Sequence, residues 1–407
     1  MNVKSIGATL LISGTMLGAG MLALPLISAG LGIYNTILLL TVLWAIMTYT
    51  GLMLLEVCLN YPEGTGLEAI AYDLFGKTGK WVINISLLLL LYALSCAYIA
   101  GASSIYKNDF TDYFHISLSS HTIAIVFTII IATIVFISTK AVDIANRVLF
   151  TSNIVIFFIL VITIIPYLHG HFLVNSHDSA KYAFAAIPVF ITAFGFHGSV
   201  PSMVKYIGRD NPKTLRNIFV AGGLLPLVVY IIWEISMLGS LPRFGNHSFQ
   251  YVAQHGSSVG VMLQQMQIFI QNNNIIYLIG AFSSIAMFTS YLCVSLGLFD
   301  SLASTFKRGN NTIDRLMTAV LCYLPPLVFT LVYPNGFVPA LGAAAIFLTI
   351  LAILFPVLAL RKLRGKQHQI EYNVATNNIA LFVVGFIGLQ VIINQILTLN
   401  NAVPIFK

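Results

Sequence analysis

The chain has 407 residues, 58% hydrophobic and 8% charged, with mean hydropathy +0.90 and a formal net charge of +7. Soluble domains carry about 25% charged residues, so a soluble fold is excluded. Apolar runs long enough to span a bilayer recur along the whole length without period-two alternation, which excludes a single anchor and an outer-membrane barrel.

The first apolar run, Ile6 to Leu31, is too long for a signal peptide. Only Lys4 precedes it and no A-x-A site follows, so it reads as a retained helix. Within it, "SGTMLGAGMLALP" (Ser13–Pro25) places Gly14, Gly18 and Gly20 where a spanning helix favours Leu or Ile. Each interior glycine costs roughly 0.8–1 kcal/mol against alanine. Two explanations are open. Gly14-x-x-x-Gly18 fits close helix packing, or the backbone here leaves the helix.

Ten further runs follow, giving eleven predicted spans at residues 5–30, 35–60, 81–106, 121–139, 145–168, 182–205, 216–240, 274–305, 314–333, 337–361 and 378–399. Two connections are long. Tyr61–Lys80 is polar, and Leu241–Asn273, with "QQMQIFIQNNN", has room for a short surface helix. With the N-terminus placed in the cytoplasm, sixteen Lys and Arg fall on the inner side and four (Lys107, Lys181, Arg243, Lys407) on the outer side. The net charge is thus a matter of topology, and no nucleic-acid partner is implied. The N-terminus is expected in the cytoplasm and the C-terminus in the periplasm. Cys58, Cys96, Cys293 and Cys322 lie in apolar segments as small buried hydrophobes.

The sixth run, "IPVFITAFGFHGSVPSMVKY" (Ile187–Tyr206), is punctured by Pro188, Gly195, Gly198 and Pro201. Interruptions at corresponding places of two halves mark the binding site of inverted-repeat transporters. The expected fold is therefore all-α, with five-plus-five repeats (about 5–168 and 182–361), broken first and sixth helices and an extra helix at 378–399, all in one membrane domain. Unwound backbone in a bilayer is tolerated only around a cavity or ligand. Half-helix amino ends suit a carboxylate, and free carbonyls suit an ammonium group.

"SGTMLGAGMLALPLISAGLG" (Ser13–Gly32) and "FGFHGSVPSMVKY" (Phe194–Tyr206) resemble the hydroxy and aromatic amino acid permeases. So do "LLEV" (Leu54–Val57), "YALSCAYIAGA" (Tyr92–Ala102), "SLGLFDSLASTF" (Ser295–Phe306) and "LPPLVFTLVYPNGFVPALG" (Leu324–Gly342). The likeness is strongest to the tyrosine-transporting members. It implies the amino acid–polyamine–organocation type of fold, a bacterial inner-membrane location, and import of tyrosine with protons. Sodium coupling, or selectivity for tryptophan, serine or threonine, are the alternatives. No cofactor or metal is implied, and the partners are the aromatic substrate and the lipid bilayer.

The expected substrate contacts are Ser13, Gly14, Thr15, Gly18, Ala19 and Gly20 in the first break and Phe194, Gly195, Phe196, His197, Gly198 and Ser199 in the sixth. Tyr92 and Tyr98 are candidate aromatic walls. His197, Glu56 and Glu234 are the ionisable candidates for ion coupling. A structural hydrogen bond is the competing role for each. The resemblance implies a neutral amide at Glu234, so this chain departs from the family pattern there. Sodium-coupled proteins of the same fold carry a hydroxyl pair where Thr289 and Ser290 stand, although such hydroxyls also bond their own helix.

Other classes find little support. There is no H-E-x-x-H, and "GASS" (Gly101–Ser104) lacks the last glycine of G-x-S-G. Asp143 and Asp300 sit at cytoplasmic ends. "GKT" (Gly76–Thr78) has Ala71 where a P-loop needs glycine. No filter motif of a channel is present.

Overall fold

A computed structural model describes residues 3–114, 116–137, 139–174, 179–309, 311–365 and 372–406. Lys366 and Lys407 of the charge pattern lie outside the described residues, as do the side chains of Lys140 and Asp143. The described residues form helices and no strands. Ten helices are long and apolar enough to cross a membrane, and a bent pair at the amino end makes an eleventh span.

That pair is Val3–Met16 and Gly20–Ser28, bent by 53°. The second span is Ile33–Leu59, the fourth Ser120–Ile137 and the fifth Thr139–Ile164. The sixth is Ala183–Ala193, a short non-helical stretch, a 3-10 turn at His197–Ser199, and Val200–Ile207. The seventh, eighth and ninth are Pro212–Ser240, Asn273–Thr305 and Thr312–Val332. The tenth runs from Phe337 to Arg364 through a π-helical turn at Ile350–Leu354, and the eleventh is Asn378–Leu399.

The structure corrects the two long connections. The third span lies within Leu67–Phe114, kinked at Gly76 with φ +70°. Most of the expected loop Tyr61–Lys80 is therefore helix, because Ile70, Ala71 and Leu74 give it a face to bury. The "GKT" run lies at this kink, inside a helix. Leu241–Asn273 holds two helices, Phe249–Gln254 and Val259–Ile270, capped by the hydroxyls of Ser248 and Ser258. The second is no surface helix. Met262, Leu263 and Met266 are buried, and Asn108 of the third span donates to Gly260 O at 2.5 Å.

Contacts between span ends agree with spans that alternate in direction. The ends of the fifth and seventh meet at His169 N–H and Gly239 O, 2.8 Å. At the same end, His121, at the start of the fourth, meets Leu331 O of the ninth at 3.0 Å. At the opposite end, Asn84 of the third meets Thr305 of the eighth at 3.2 Å, and Arg315 of the ninth donates to Phe136 O of the fourth at 2.6 Å. This opposite end is the basic-rich one in the sequence count. Around the bundle, Ile129, Phe158, Ile162, Ile313 and Phe382 are exposed, as expected of a lipid-facing belt.

Glu56 is bound at the basic-rich end. Arg364 forks onto both carboxylate oxygens at 2.8 Å, and Val374 N–H donates to Oε2 at 2.6 Å. Glu56 therefore ties the second span to the tenth and to the strand-like approach to the eleventh. Replacing Arg364 by leucine leaves this buried carboxylate without its cation. It is expected to cost about 2–3 kcal/mol, read as a lower unfolding temperature in detergent than that of the Glu56→Gln/Arg364→Leu double variant.

Candidate functional site

The two breaks lie against each other. A Cβ on Gly20 would stand 3.9 Å from Ala193 Cα. The half-helix Val3–Met16 ends at Met16 and the half-helix Ala183–Ala193 ends at Ala193, so two carbonyl-rich ends converge. Each end carries a partial negative charge of roughly half an electron. Tyr230 of the seventh span bridges them, its hydroxyl 2.6 Å from Met16 O and 2.8 Å from Ala193 O. A phenol has one proton to donate. Only one of the two carbonyls receives it at a time.

The amino end of the second half-helix is met from the eighth span. Ala19 N–H donates to Ser290 Oγ at 2.8 Å. Gly18 is required by the same contact, since a Cβ there would lie 2.7 Å from Ser290 Oγ. Gly14 faces the fifth span, where a Cβ would meet Phe150 Cζ at 3.4 Å. Both explanations of the glycines therefore hold. They allow close approach, and the backbone also leaves the helix between Met16 and Gly20.

The other expected residues divide. Ser13 Oγ lies 2.9 Å from Gly222 O and 3.0 Å from Thr9 O, fastening the first half-helix to the seventh span. Thr15 is exposed, its hydroxyl bonded to Ile12 O. Gly198 is exposed with open space around its Cα. Ser199 Oγ turns back onto Phe196 O at 2.6 Å, and a Cβ on Gly195 would meet Leu348 Cδ2 at 2.9 Å. Phe194 packs edge-on against Tyr230, ring centroids 5.3 Å apart, which puts an aromatic face at the break.

Phe196 and His197 turn away from it. Phe196 is buried beneath Gly51 of the second span and stacks on Phe219 of the seventh at 5.8 Å. His197 is 1% exposed, stacked on Phe196, with Nε2 2.9 Å from Thr50 Oγ1. Thr50 also lies 3.1 Å from Met47 O. Both bonds are made when Nε2–H donates to Thr50 and Thr50 donates to Met47 O, which packs the ring between the two spans. Of the two roles expected for His197, the structure shows the hydrogen bond, which here joins the second and sixth spans. His197→Gln, which keeps a donor at this place, is expected to retain pH-gradient-driven uptake within about threefold, measured in vesicles.

Tyr92 is also elsewhere. Its hydroxyl donates to Leu321 O of the ninth span at 2.7 Å, about two turns along the third span from Tyr98. Tyr98 is buried, whereas the Tyr92 hydroxyl is taken up by the ninth span. Thr289 bonds back to Ile285 O and Ala286 O at 2.9 and 3.2 Å. The Thr289–Ser290 pair is thus split, with one hydroxyl in its own helix and one on the break.

Three residues at the site were not expected from sequence: Tyr230, Trp233 and Ser28. Trp233 Nε1–H donates to Met21 O at 3.0 Å. Glu234, fully buried, accepts from Ser28 Oγ at 2.5 Å through Oε2, while Oε1 has no hydrogen-bond partner among the described residues. The seventh span thus grips the first on both sides of its break. The signal was present in "YIIWEIS", where Tyr230, Trp233 and Glu234 recur at i, i+3 and i+4 on one face of an apolar helix.

Comparison with known proteins identifies the family. Residues 1–395 match the tryptophan/tyrosine permease family. A tryptophan-specific transport protein of Haemophilus influenzae is 36% identical over 399 residues, covering 96% of this chain and 94% of that protein. Tyrosine-specific transport system 1 of the same organism is 35% identical, covering 95% of each. A tyrosine permease of Enterobacter agglomerans is 30% identical, covering 98% and 97%.

Proposed function

The chain belongs to the tryptophan/tyrosine permease family, and we propose that it imports an aromatic amino acid, L-tyrosine foremost, by proton symport with alternating access. The observation that carries the substrate class is the bridge at Tyr230. Two helix-end carbonyls share one phenolic proton, and an α-ammonium group supplies three donors to such a place. The substrate carboxylate goes to the backbone N–H groups around Gly18, Ala19 and Gly20, exchanging with Ser290 Oγ on Ala19 N–H. The ring lies against Phe194, with Tyr98 and Tyr230 beside it. The first and sixth spans then act as corresponding members of two inverted five-helix repeats.

The basic-rich end faces the cytoplasm of a bacterial inner membrane by the positive-inside rule. Glu234 holds the coupling proton. An ionised carboxylate buried without a cation is costly in a bilayer, whereas a neutral carboxyl fits beside Ser28. Opening the outer half-helix Gly20–Ser28 removes that hydroxyl and hydrates the acid. Ser290 contacts an N–H rather than a first-span carbonyl, an arrangement that favours an anionic ligand over Na⁺ at this place.

The test is reconstitution in liposomes with labelled tyrosine and, separately, tryptophan. Each is offered under an imposed pH gradient and under an imposed Na⁺ gradient. Accumulation of tyrosine with the pH gradient alone supports the full reading. Accumulation of tryptophan alone changes the substrate, and accumulation with Na⁺ alone removes Glu234 as the coupling group.

A further inference from the structure

The end of the bundle opposite the basic-rich end is fastened by a segment that lies outside the helices. Residues 400–406 follow the eleventh span, and Phe406 returns to the bundle, where it is 7% exposed. It rests on Gly30, just past the outer half-helix of the first span. A Cβ on Gly30 would stand 2.8 Å from Phe406 Cβ and 3.0 Å from Tyr182 Cδ2. Tyr182 immediately precedes the sixth span's first half-helix, and its ring meets Phe406 edge-on at 5.7 Å. Arg243, three residues beyond the seventh span, donates to Gly30 O. Its guanidinium lies 5.0 Å over Phe244 and 5.4 Å over Phe406, and those two rings are 5.9 Å apart. Phe406 and Arg243 thus join the outer ends of both broken spans to the seventh.

The other side of the breaks differs. Thr15 and Gly198 are exposed, and a Cβ on Gly198 would meet nothing within 4 Å. Cys293, one turn from Ser290 toward the basic-rich end, is exposed rather than buried as its apolar segment suggested. The outer half-helix, by contrast, is buried from Met21 to Leu26 and again at Ser28. The outer side of the break is thus covered, while residues on its other side are exposed.

We infer that Phe406 and Arg243 form a clasp that holds the outer side of the permease closed, and that outward opening requires its release. The inference rests on the orientation and broken-helix reading proposed above. The two outer half-helices cannot part while one ring is seated between Gly30 and Tyr182 and one guanidinium holds the Gly30 carbonyl. A ring packed edge-on and a cation over two aromatic faces bias such a two-state equilibrium by about three- to tenfold. Glycine at position 30 is what admits the ring, so the clasp depends on the absence of a side chain there.

The experiment reads the conformation without any transported substrate. Inside-out membrane vesicles are treated with a charged thiol reagent, and the rate of Cys293 modification is followed, with Cys293→Ser as the blank. Cys58 and Cys322 are buried and Cys96 is partly so, so Cys293 dominates the signal. Phe406→Ala and, separately, Arg243→Gln are expected to slow Cys293 labelling by about three- to tenfold, as the inner side closes when the outer side opens. Unchanged or faster labelling in both variants, in protein that still elutes as the folded form, overturns the clasp. If wild-type Cys293 reacts only in right-side-out vesicles, the orientation fails instead. A wrong substrate leaves the measurement unaffected.

Discussion

Gly18→Leu is expected to abolish uptake while leaving the protein inserted and folded in the membrane. A Cβ at this position would already be 2.7 Å from Ser290 Oγ, closer than real Cβ contacts allow. The leucine therefore displaces the eighth span or Ser290, and Ala19 N–H loses its acceptor. Leucine also favours continuation of the helix, where the native chain leaves it between Met16 and Gly20. The proposed site uses backbone groups that this interruption leaves outside the helix ladder. A misplacement of about 1 Å in such a site costs on the order of a hundredfold in rate, so uptake should fall below roughly one part in a hundred. Labelled-substrate uptake checks it, beside a membrane-fraction immunoblot. Near-normal uptake by the variant would sink the broken-helix site. The control is Gly14→Ala, whose Cβ meets the edge of the Phe150 ring at ordinary contact distance, Cζ nearest at 3.4 Å.

Glu234→Gln is expected to separate transport from its driving force. The amide keeps the shape of the carboxyl and can still accept from Ser28 Oγ at the position of Oε2. It carries no proton that can be released. Exchange of external for internal substrate, which needs no net proton movement, should persist within about threefold. Concentrative uptake should be lost. With one proton per substrate, a one-unit pH gradient supplies about 1.4 kcal/mol and hence about tenfold accumulation. The variant is expected to show none. Its exchange rate is also expected to be independent of external pH. Tenfold accumulation by Glu234→Gln under the same gradient would place the proton on another group. Loss of exchange as well would show that the carboxyl is needed for binding or for holding the Gly20–Ser28 half-helix.

The sequence by itself determined that this is a membrane protein of eleven spans. Length, apolar runs and the placement of Lys and Arg are one-dimensional quantities, because each span must satisfy its own backbone in lipid. The breaks were legible for the same reason. Glycine and proline inside an apolar run are local departures, and the structure bends or interrupts the chain at Gly18 and at Gly195–Gly198. The family was legible from the motifs around those breaks.

The tertiary structure decided which side chains meet there. Phe196 and His197 lie in the same short motif as Phe194, yet the turn at His197–Ser199 sends them against Gly51 and Thr50. Tyr92 and Tyr98 are on one helix about two turns apart, and only Tyr92 reaches the ninth-span carbonyl of Leu321. Glu56 and Glu234 looked alike as acids in apolar runs. One meets Arg364, more than three hundred residues away in the chain, and the other meets a single serine hydroxyl. Tyr230 bridges carbonyls of residues 16 and 193. Such pairings depend on how helices pack and rotate against one another, and no spacing along the chain records them.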